Sequence, residues 1–437
     1  MSALGRLVRR LVVVRDGEVA AVLWSCAFFF FVLSSYYILR PIRDEMGVTG
    51  GVRNLAWLFS ATLGAMLLAH PMFTAIVARL PRRRFVPLVY RFFILHLIAF
   101  FVVFRAVDAG QAVWVGRVFF VWTSVFNLFV VSVFWSMMAD LYRPSQARRL
   151  FGLIAVGGTL GSILGASMTA GLSYVLSATS LLLPSAVLLE LAAQSARALD
   201  RQQEAVRAAG DETAPDDGLA SEQMIGGGVL EGIRQVVRSP YLLGIALFML
   251  LFTVTSTFLY FQQATIVSTT LADRQARTRL FANVDLAVNV LTLLTQLFLT
   301  GAALRWLGLA IGLAVVPVLT LVGFSVLAMA PVLTVVVVFH VVRRAGHFGV
   351  ERPAREVLYT VLPRTEKYKA KNFNDTFVYR LGDQVGAWSY TAIGAFGFGL
   401  SGLAATMVPL SVVWMLLGLW LGTRQARLRT SARYHAA

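Results

Sequence analysis

The stretch KYKAKNFNDTFVYRLGDQVG, Lys367–Gly386, holds every lysine of the chain and leads into an apolar segment, Phe373–Phe398, long enough to cross a membrane. This segment carries three ionisable side chains, Asp375, Arg380 and Asp383. At about 1.5 Å per residue, Asp383 lies about 18 Å beyond Lys371 along a helix, near the middle of a hydrocarbon layer about 30 Å thick. Charges at that depth are costly and normally face a partner charge or a water-filled pathway. We therefore expect this segment to line a transport cavity.

The composition indicates an integral membrane protein. Of 437 residues, 58% are hydrophobic and 14% are charged, whereas soluble domains carry about 25% charged residues. The net charge of +17 comes from arginines in short loops, so membrane topology explains it better than nucleic-acid binding. The single cysteine, Cys26, excludes a disulfide framework. Because no metal-ligand spacing, nucleotide-binding loop or catalytic motif is present, we expect no enzyme, no cofactor and no metal.

Apolar runs long enough to span a membrane recur about twelve times. The first covers Glu18–Leu39, and one short run, Val332–Val342, is expected to continue as a helix past His340 into polar sequence. A polar break at Ala196–Ser239 divides the runs six plus six. Its acidic middle, Gly210–Gly218, has a composition typical of disorder.

We therefore predict an all-α, polytopic membrane protein with two six-helix halves. The halves cover residues 1–195 and 239–437 and are joined by a cytoplasmic linker, 196–238. This layout is typical of major facilitator transporters, whose substrate site lies at the midplane between the halves. Arginine-rich loops alternate with loops that carry few charges, which places both termini in the cytoplasm and the chain in the cell inner (plasma) membrane. The expected partners are the lipid bilayer and a small-molecule substrate, and the expected state is a monomer.

The end of the first span, Ser34–Gly47, is rich in charge. Pro41 is expected to kink the helix because it cannot donate to the carbonyl of Tyr37. Arg40 and Asp44 stand one helical turn apart and are expected to pair. That pairing leaves Arg43 for an anionic ligand, since its planar guanidinium suits phosphate. The alternative is a solvated loop whose arginines reach out toward water.

In the lysine-rich stretch, too, some charges are expected to pair with each other and others to bind the substrate. Lys371 and Asp375 lie four residues apart, and Arg380 and Asp383 form a neighbouring pair. Lys369 or Lys371 is expected to bind phosphate as a compact point charge, a role that arginine fills less well. A structural ion-pair network between helices, with the lysines clustered by chance, is the alternative.

Polar residues elsewhere in the spans add candidates. Asp285 and Asn289 share a face of the eighth span. Asp285 is predicted to carry a proton or to meet Lys371. The alternative is that it forms a buried hydrogen bond between helices. Asn127 in the fourth span is a further candidate for substrate contact. Glycines at 157, 161 and 165 repeat every four residues, which predicts close helix packing rather than a binding site.

Several segments together resemble the ATP/ADP antiporter family, the nucleotide transporters of plastids and intracellular bacteria. Tyr36–Asp44 is similar to the family's first-helix pattern Y-x-I-L-R-D-x-K-D, with Arg43 at the position of a functional lysine. Lys367–Asp375 is similar to its K-x-K-G-K-x-x-x-D before the eleventh helix, which is the most specific match. The segments Leu230–Ala246 and Leu304–Gly323 resemble the approach to the seventh helix and the turn between the eighth and ninth.

The resemblance implies a twelve-helix, facilitator-like fold and nucleotide exchange. The chain departs from the family by lacking the acid of the fourth helix and by carrying Pro41 in place of an acid. We therefore expect a secondary transporter of nucleotides or another phosphorylated or anionic solute, working by exchange or by proton coupling. Two alternatives stay open: a proton-coupled facilitator for an unrelated solute, and a membrane scaffold or sensor that does not transport. The expected substrate-binding residues are Arg40, Arg43, Asn127, Asp285, Asn289, Lys369, Lys371, Asp375, Arg380 and Asp383.

Overall fold

The computed structural model describes residues 14–15, 18–77, 82–208, 236–301, 305, 308–363, 370–371 and 373–434. In this part of the chain twelve long helices follow one another and no β-strand occurs. The first six are α1 Val19–Thr49, α2 Leu55–Val77, α3 Arg82–Ala106, α4 Ala109–Leu141, α5 Pro144–Leu172 and α6 Leu182–Ala208. The others are α7 Pro240–Thr270, α8 Arg274–Leu294, α9 Gly308–Met329, α10 Leu333–Gly346, α11 Tyr379–Ala395 and α12 Leu400–Tyr434.

Three of these helices carry a π-helical turn. Thr295–Leu299 extends α8, and Asn374–Val378 precedes α11. His347–Glu351 extends α10, which continues as Arg352–Leu358. A π-turn inserts one extra residue into a helical turn and occurs often at functional sites. All three lie in the sequence region of the predicted C-terminal half.

Ten helices in the described residues are long and apolar enough to cross a membrane. The other two of the twelve helices are α6 and α11; α11 has 17 residues and carries Arg380 and Asp383. The all-α, polytopic prediction is therefore confirmed. The expected continuation of the tenth span past His340 is also confirmed, since its helix runs without a break from Leu333 to Val361.

The first helix differs from its prediction. α1 does not end near Leu39 but continues through Pro41 to Thr49. Ile38, Ile42 and Met46, spaced one turn apart, are almost fully buried, so an apolar stripe carries the helix across the proline. The alternative of a solvated loop with outward-reaching arginines is therefore wrong.

The chain divides into two compact units. The first contains Met1–Gly50, Ala61–Glu222 and Asp273–Leu286, and the second contains Gly51–Ser60, Gln223–Ala272 and Ala287–Ala437. Thus the start of α8 belongs to the first unit and the start of α2 to the second. The predicted linker, 196–238, falls mostly on residues 209–235, which lie outside the described residues.

In the first unit, α1 packs closely against α5 through the repeated glycines. A Cβ atom added at Gly161 would overlap the carbonyl of Phe30, and one at Gly165 would overlap that of Ser34. The Ser34 hydroxyl donates to the Gly161 carbonyl at 3.0 Å, so polar contact accompanies the close approach. The prediction of a packing motif is confirmed.

Glu18, just before α1, ties that helix to the start of α5. Its buried carboxylate accepts hydrogen bonds from Arg149 (2.7 Å) and Gln146 (3.0 Å), and from the backbone N–H of Arg15 (3.0 Å). Burial raises the pKa of Glu18, but these hydrogen bonds outweigh it and lower the pKa from 4.5 to about 2. The stabilisation is therefore present above pH 4.5 and is lost as the pH falls through about 2.

In the second unit, α11 packs on α7 through its own glycines. A Cβ atom at Gly382 would overlap the side chain of Thr253, and one at Gly386 would press on Thr257. Because this face of α11 lies against α7, Arg380 and Asp383 occupy other faces and stay partly exposed. The packing thus leaves the charged side chains of α11 accessible.

The α1–α5 contact can be tested with a matched pair of glycines on α5. Gly161→Ala is expected to destabilise the protein by about 1–3 kcal/mol, because the methyl group overpacks the contact. Gly152→Ala is the control, since its Cβ atom meets nothing within 4 Å. Melting temperatures of the detergent-purified variants measure the difference. Equal melting temperatures would show that the glycine contact contributes nothing.

Candidate functional site

Arg40 and Asp285 form a buried ion pair in the first unit. The Arg40 Nη1 atom lies 2.9 Å from the Asp285 Oδ1 atom, and the side chains are 19% and 3% exposed. Arg40 therefore binds the middle of α8 rather than depending on Asp44 within its own helix. Asp285 was predicted to carry a proton or to meet Lys371; in the structure it pairs with Arg40. The pair joins α1 to α8 and neutralises the Arg40 charge.

Arg43 keeps unused hydrogen-bonding capacity. Its contact with Asp44 is long, at 3.4 Å, and its buried Nε atom has no hydrogen-bond partner in the described residues. The guanidinium lies 4.1 Å from the centroid of the Phe120 ring, which holds its plane through a cation–π contact. Since a guanidinium has five N–H donors, several remain for an anion.

Glu45 was missed by the sequence analysis. It is fully buried on α1 and accepts hydrogen bonds from Arg274 on α8, at 2.9 Å from Nε and 3.3 Å from Nη2. The sequence did carry a signal, since Glu45 follows the apolar Ile42 by three residues and therefore shares its buried side. Ending the first span near Leu39 concealed it. Glu45 and Asp285 thus give α1 and α8 two ion pairs.

The two predicted asparagines lie in different units. Asn127, on α4 in the first unit, is half-buried and has no hydrogen-bond partner in the described part of the chain. Asn289, on α8 in the second unit, is 8% exposed, and its Nδ2 atom has no hydrogen-bond partner there. Each amide therefore retains capacity to bind a polar group.

The charges that flank α10 and α11 pair differently from the prediction. Lys371 Nζ lies 2.6 Å from the Glu356 carboxylate, and Asp375 lies 3.8 Å from Arg355. Lys371 and Asp375, four residues apart, do not pair with each other. Asp375 lies in the π-turn, where residues four apart no longer stand directly one turn above each other. The predicted pair of Arg380 and Asp383 is confirmed at 3.3 Å. Lys369 lies outside the described residues.

Arg343 on α10 is a further charge that the sequence analysis did not single out. It is 2% exposed and is bound by neutral groups instead of a carboxylate. Its acceptors are the hydroxyls of Thr320 (2.9 Å), Ser256 (2.8 Å) and Thr255 (2.8 Å), with the Phe252 carbonyl at 3.2 Å. The hydroxyl-rich part of α7 therefore solvates a buried cation besides bonding its own backbone.

A pocket of about 540 Å³ lies in the second unit. Its lining is Gly308, Leu309, Val357, Gln425, Ala426, Arg429 and Thr430. It contains none of the predicted site residues and a single charged side chain. The candidate residues therefore form two separate groups: the charged residues of α1 and α8 in the first unit, and those of α10 and α11 in the second.

The Arg40–Asp285 pair can be tested against an exposed pair of similar length. Asp285→Asn is expected to cost about 3–5 kcal/mol, because it leaves the buried Arg40 charge without its partner. Arg40→Gln combined with Asp285→Asn should recover part of that loss. The control is Glu190→Gln, which breaks the exposed Arg91–Glu190 pair (2.8 Å) and is expected to cost less than about 1 kcal/mol. Thermal unfolding in detergent measures all three; similar losses for both single variants would contradict the assignment.

Solved structures share this architecture along almost the whole chain. A bacterial homologue of the human lysosomal transporter Spinster, inward-facing and unoccupied, is 13% identical, with a TM-score of 0.53 over 95% of this chain and 96% of that one. A variant of the nucleoside transporter NupG is 11% identical, with a TM-score of 0.54 over 94% and 99%. The xylose transporter XylE from E. coli, inward open, is 10% identical, with a TM-score of 0.61 over 92% and 94%.

Sequence comparisons add nothing to this likeness. No protein-family profile matches the chain, and no curated protein matches it. At identities of 10–13%, the structural likeness shows the fold alone. The chain is a multi-pass membrane protein with the fold of the major facilitator transporters.

Proposed function

We propose that this protein is a secondary transporter of an anionic, phosphorylated solute, with a nucleotide as the first candidate. The observation that carries the proposal is Arg43, a partly buried cation with donors that nothing in the described residues uses. A buried charge without full compensation is costly, so it is usually kept for a ligand. The solved transporters of the same fold include one for a nucleoside, which supports transport as the general role.

The surroundings of Arg43 suit a phosphate group. Its guanidinium is planar and can donate two parallel hydrogen bonds to phosphate oxygens. The Phe120 ring beneath it fixes that plane and keeps water from one side. Hydrogen bonds to charged groups contribute about 1.5–3 kcal/mol each, so one such contact has a large effect on affinity.

In the second unit, Lys371 is proposed as a basic group that can bind a phosphate. Its partner Glu356 is 42% exposed, and an exposed ion pair contributes only about 0–1 kcal/mol. A substrate phosphate can therefore replace Glu356 at little cost. Within the second unit, Arg380 and the Asn289 amide are proposed as further polar contacts, and Asn127 is proposed as one within the first unit. An acid is proposed to set the coupling.

The two ion pairs between α1 and α8 are proposed to hold one conformation of the transporter. Transport by alternating access requires contacts that form in one state and break in another. Arg274 is 51% exposed, so water can reach the Glu45–Arg274 pair and replace it. Arg40–Asp285 is more deeply buried and is expected to open last.

Uptake into proteoliposomes tests the proposed function. Radiolabelled ATP, ADP, glucose 6-phosphate and inorganic phosphate are compared with an uncharged nucleoside. Uptake of a phosphorylated solute is expected in the wild type and is expected to fall about tenfold or more in Arg43→Gln, since losing one charged hydrogen bond of about 1.5–3 kcal/mol has that effect. Arg43→Lys should retain part of the uptake.

The matched control is Arg91→Gln, which removes an exposed arginine of α3 whose partner is Glu190. It should transport at the wild-type rate. Unchanged uptake in Arg43→Gln would overturn the role of Arg43. Absence of uptake for every phosphorylated solute, with transport of the nucleoside, would overturn the anionic substrate class.

A further inference from the structure

We propose that His347 and Glu351 on α10 form a proton-binding site that couples transport to a proton. This inference rests on the proposed transport function and names its driving ion. The sequence analysis singled out neither residue, and neither belongs to the proposed solute site.

The two side chains meet deep inside the second unit. His347 Nδ1 and Glu351 Oε2 share a proton at 3.0 Å, and the residues are 7% and 0% exposed. They bracket the π-turn His347–Glu351, whose extra residue widens the helix there. A stacked ring, Phe252, covers the imidazole at 4.0 Å between centroids and 15° between planes. The pair is therefore held in a fixed geometry.

The carboxylate of Glu351 is incompletely satisfied. Its Oε1 atom is buried and has no hydrogen-bond partner in the described residues. An ionised carboxylate with one bare oxygen in a low-dielectric interior is costly, and taking up a proton relieves that cost. Uptake of one proton changes the pair from a net charge of −1 to neutral. The added proton binds the bare Oε1 atom of Glu351, while the existing hydrogen bond between Nδ1 and Oε2 is kept.

Two cations on the same helix oppose proton uptake by Glu351, whereas burial of its carboxylate favours it. Arg343 precedes His347 by four residues, and Arg355 follows Glu351 by four. Arg355 is 6% exposed, and its Nε and Nη1 atoms have no hydrogen-bond partner in the described residues. These charges favour the ionised carboxylate, whereas burial disfavours it. A site with two opposed influences of this kind can bind and release a proton.

The neighbouring helices add few titratable groups. Tyr379 on α11 interacts electrostatically with Arg343, and Asp375 lies 3.8 Å from Arg355. Asp383 and Arg380 interact electrostatically with Tyr379. α9 and the turn Thr295–Leu299 of α8 carry no ionisable residue, and α7 supplies only hydroxyls and Phe252 around Arg343. Within the described residues, Glu351 is therefore the carboxylate closest to the imidazole.

Coupling of this kind suits an anionic solute. A membrane potential that is negative inside opposes the entry of an anion. A proton that travels with the solute cancels one negative charge and adds the pH gradient to the driving force. The proton site therefore gives the proposed transporter a source of energy that exchange alone lacks.

Uptake driven by a pH gradient tests the coupling. For one proton per solute, each pH unit should sustain about a tenfold accumulation of the transported solute in the wild type. Glu351→Gln is expected to abolish that accumulation while retaining exchange of labelled for unlabelled solute at equal pH, because exchange needs no net proton movement. Glu190→Gln and His96→Asn are the matched controls, since both residues lie on other helices and outside the site.

His347→Asn serves as a second variant if Glu351→Gln fails to fold. Its amide occupies the place of Nδ1 but cannot ionise, so the pH at which Glu351 takes up its proton is expected to move, and the pH dependence of accumulation with it. Accumulation that does not depend on the pH gradient in the wild type, or that is unchanged in both variants, would overturn the proton site while leaving the transport function intact.

Infrared difference spectroscopy of the purified protein gives a readout that does not depend on transport. A carboxyl band that titrates with pH in the wild type and is missing in Glu351→Gln supports the proton site, even if no tested solute is carried. If His347→Asn is the variant that folds, the band is expected to titrate at a different pH. A carboxyl spectrum that is the same in the wild type and in these variants would overturn the proton site.

Discussion

A charge buried among membrane helices needs compensation inside the protein, because hydrocarbon offers none. In this chain that requirement is met chiefly along α1. Its start is fixed by Glu18 and Arg149, and its end by Arg40–Asp285 and Glu45–Arg274. Removing one partner of such a pair leaves an uncompensated charge, which is far more costly than losing an exposed salt bridge. The position of α1 depends on these contacts and on the glycine contact with α5.

The same requirement separates structural charges from functional ones. Arg40, Glu45 and Asp285 have partners, and their geometry accounts for their burial. Arg43 and the pair His347–Glu351 do not fit that description. Arg43 has only a long contact, 3.4 Å, with its neighbour Asp44, and Glu351 carries a net negative charge into the interior with one oxygen that has no hydrogen-bond partner in the described residues. A buried atom of this kind destabilises the protein unless a ligand or a proton occupies it part of the time. We therefore propose that the solute binds at Arg43 and the proton at His347–Glu351.

The sequence predicted features that depend on local spacing. The helices, the Arg380–Asp383 pair and the glycine packing motif each follow from periodicity within one segment. Contacts between distant segments were not predictable in this way, because spacing along one helix does not give its rotation against another. Arg40 was expected to pair within α1 and instead meets Asp285, and the π-turn before α11 removed the expected register of Lys371 and Asp375. The polar continuation of α10 was predicted, whereas the pairing of His347 with Glu351 inside it was not singled out.

The central claim is that Arg43 is reached by an anionic solute, and cysteine labelling tests it most directly. Cys26, the single cysteine, is first replaced by alanine, and residue 43 is then changed to cysteine. The account predicts rapid modification by a negatively charged methanethiosulfonate reagent. It also predicts protection by the transported phosphorylated solute, at about ten times the concentration that saturates the wild type, because the arginine itself is missing. Ile42→Cys in the same background is the comparison, because Ile42 is fully buried. Modification at position 43 no faster than at position 42, with no protection, would contradict the account.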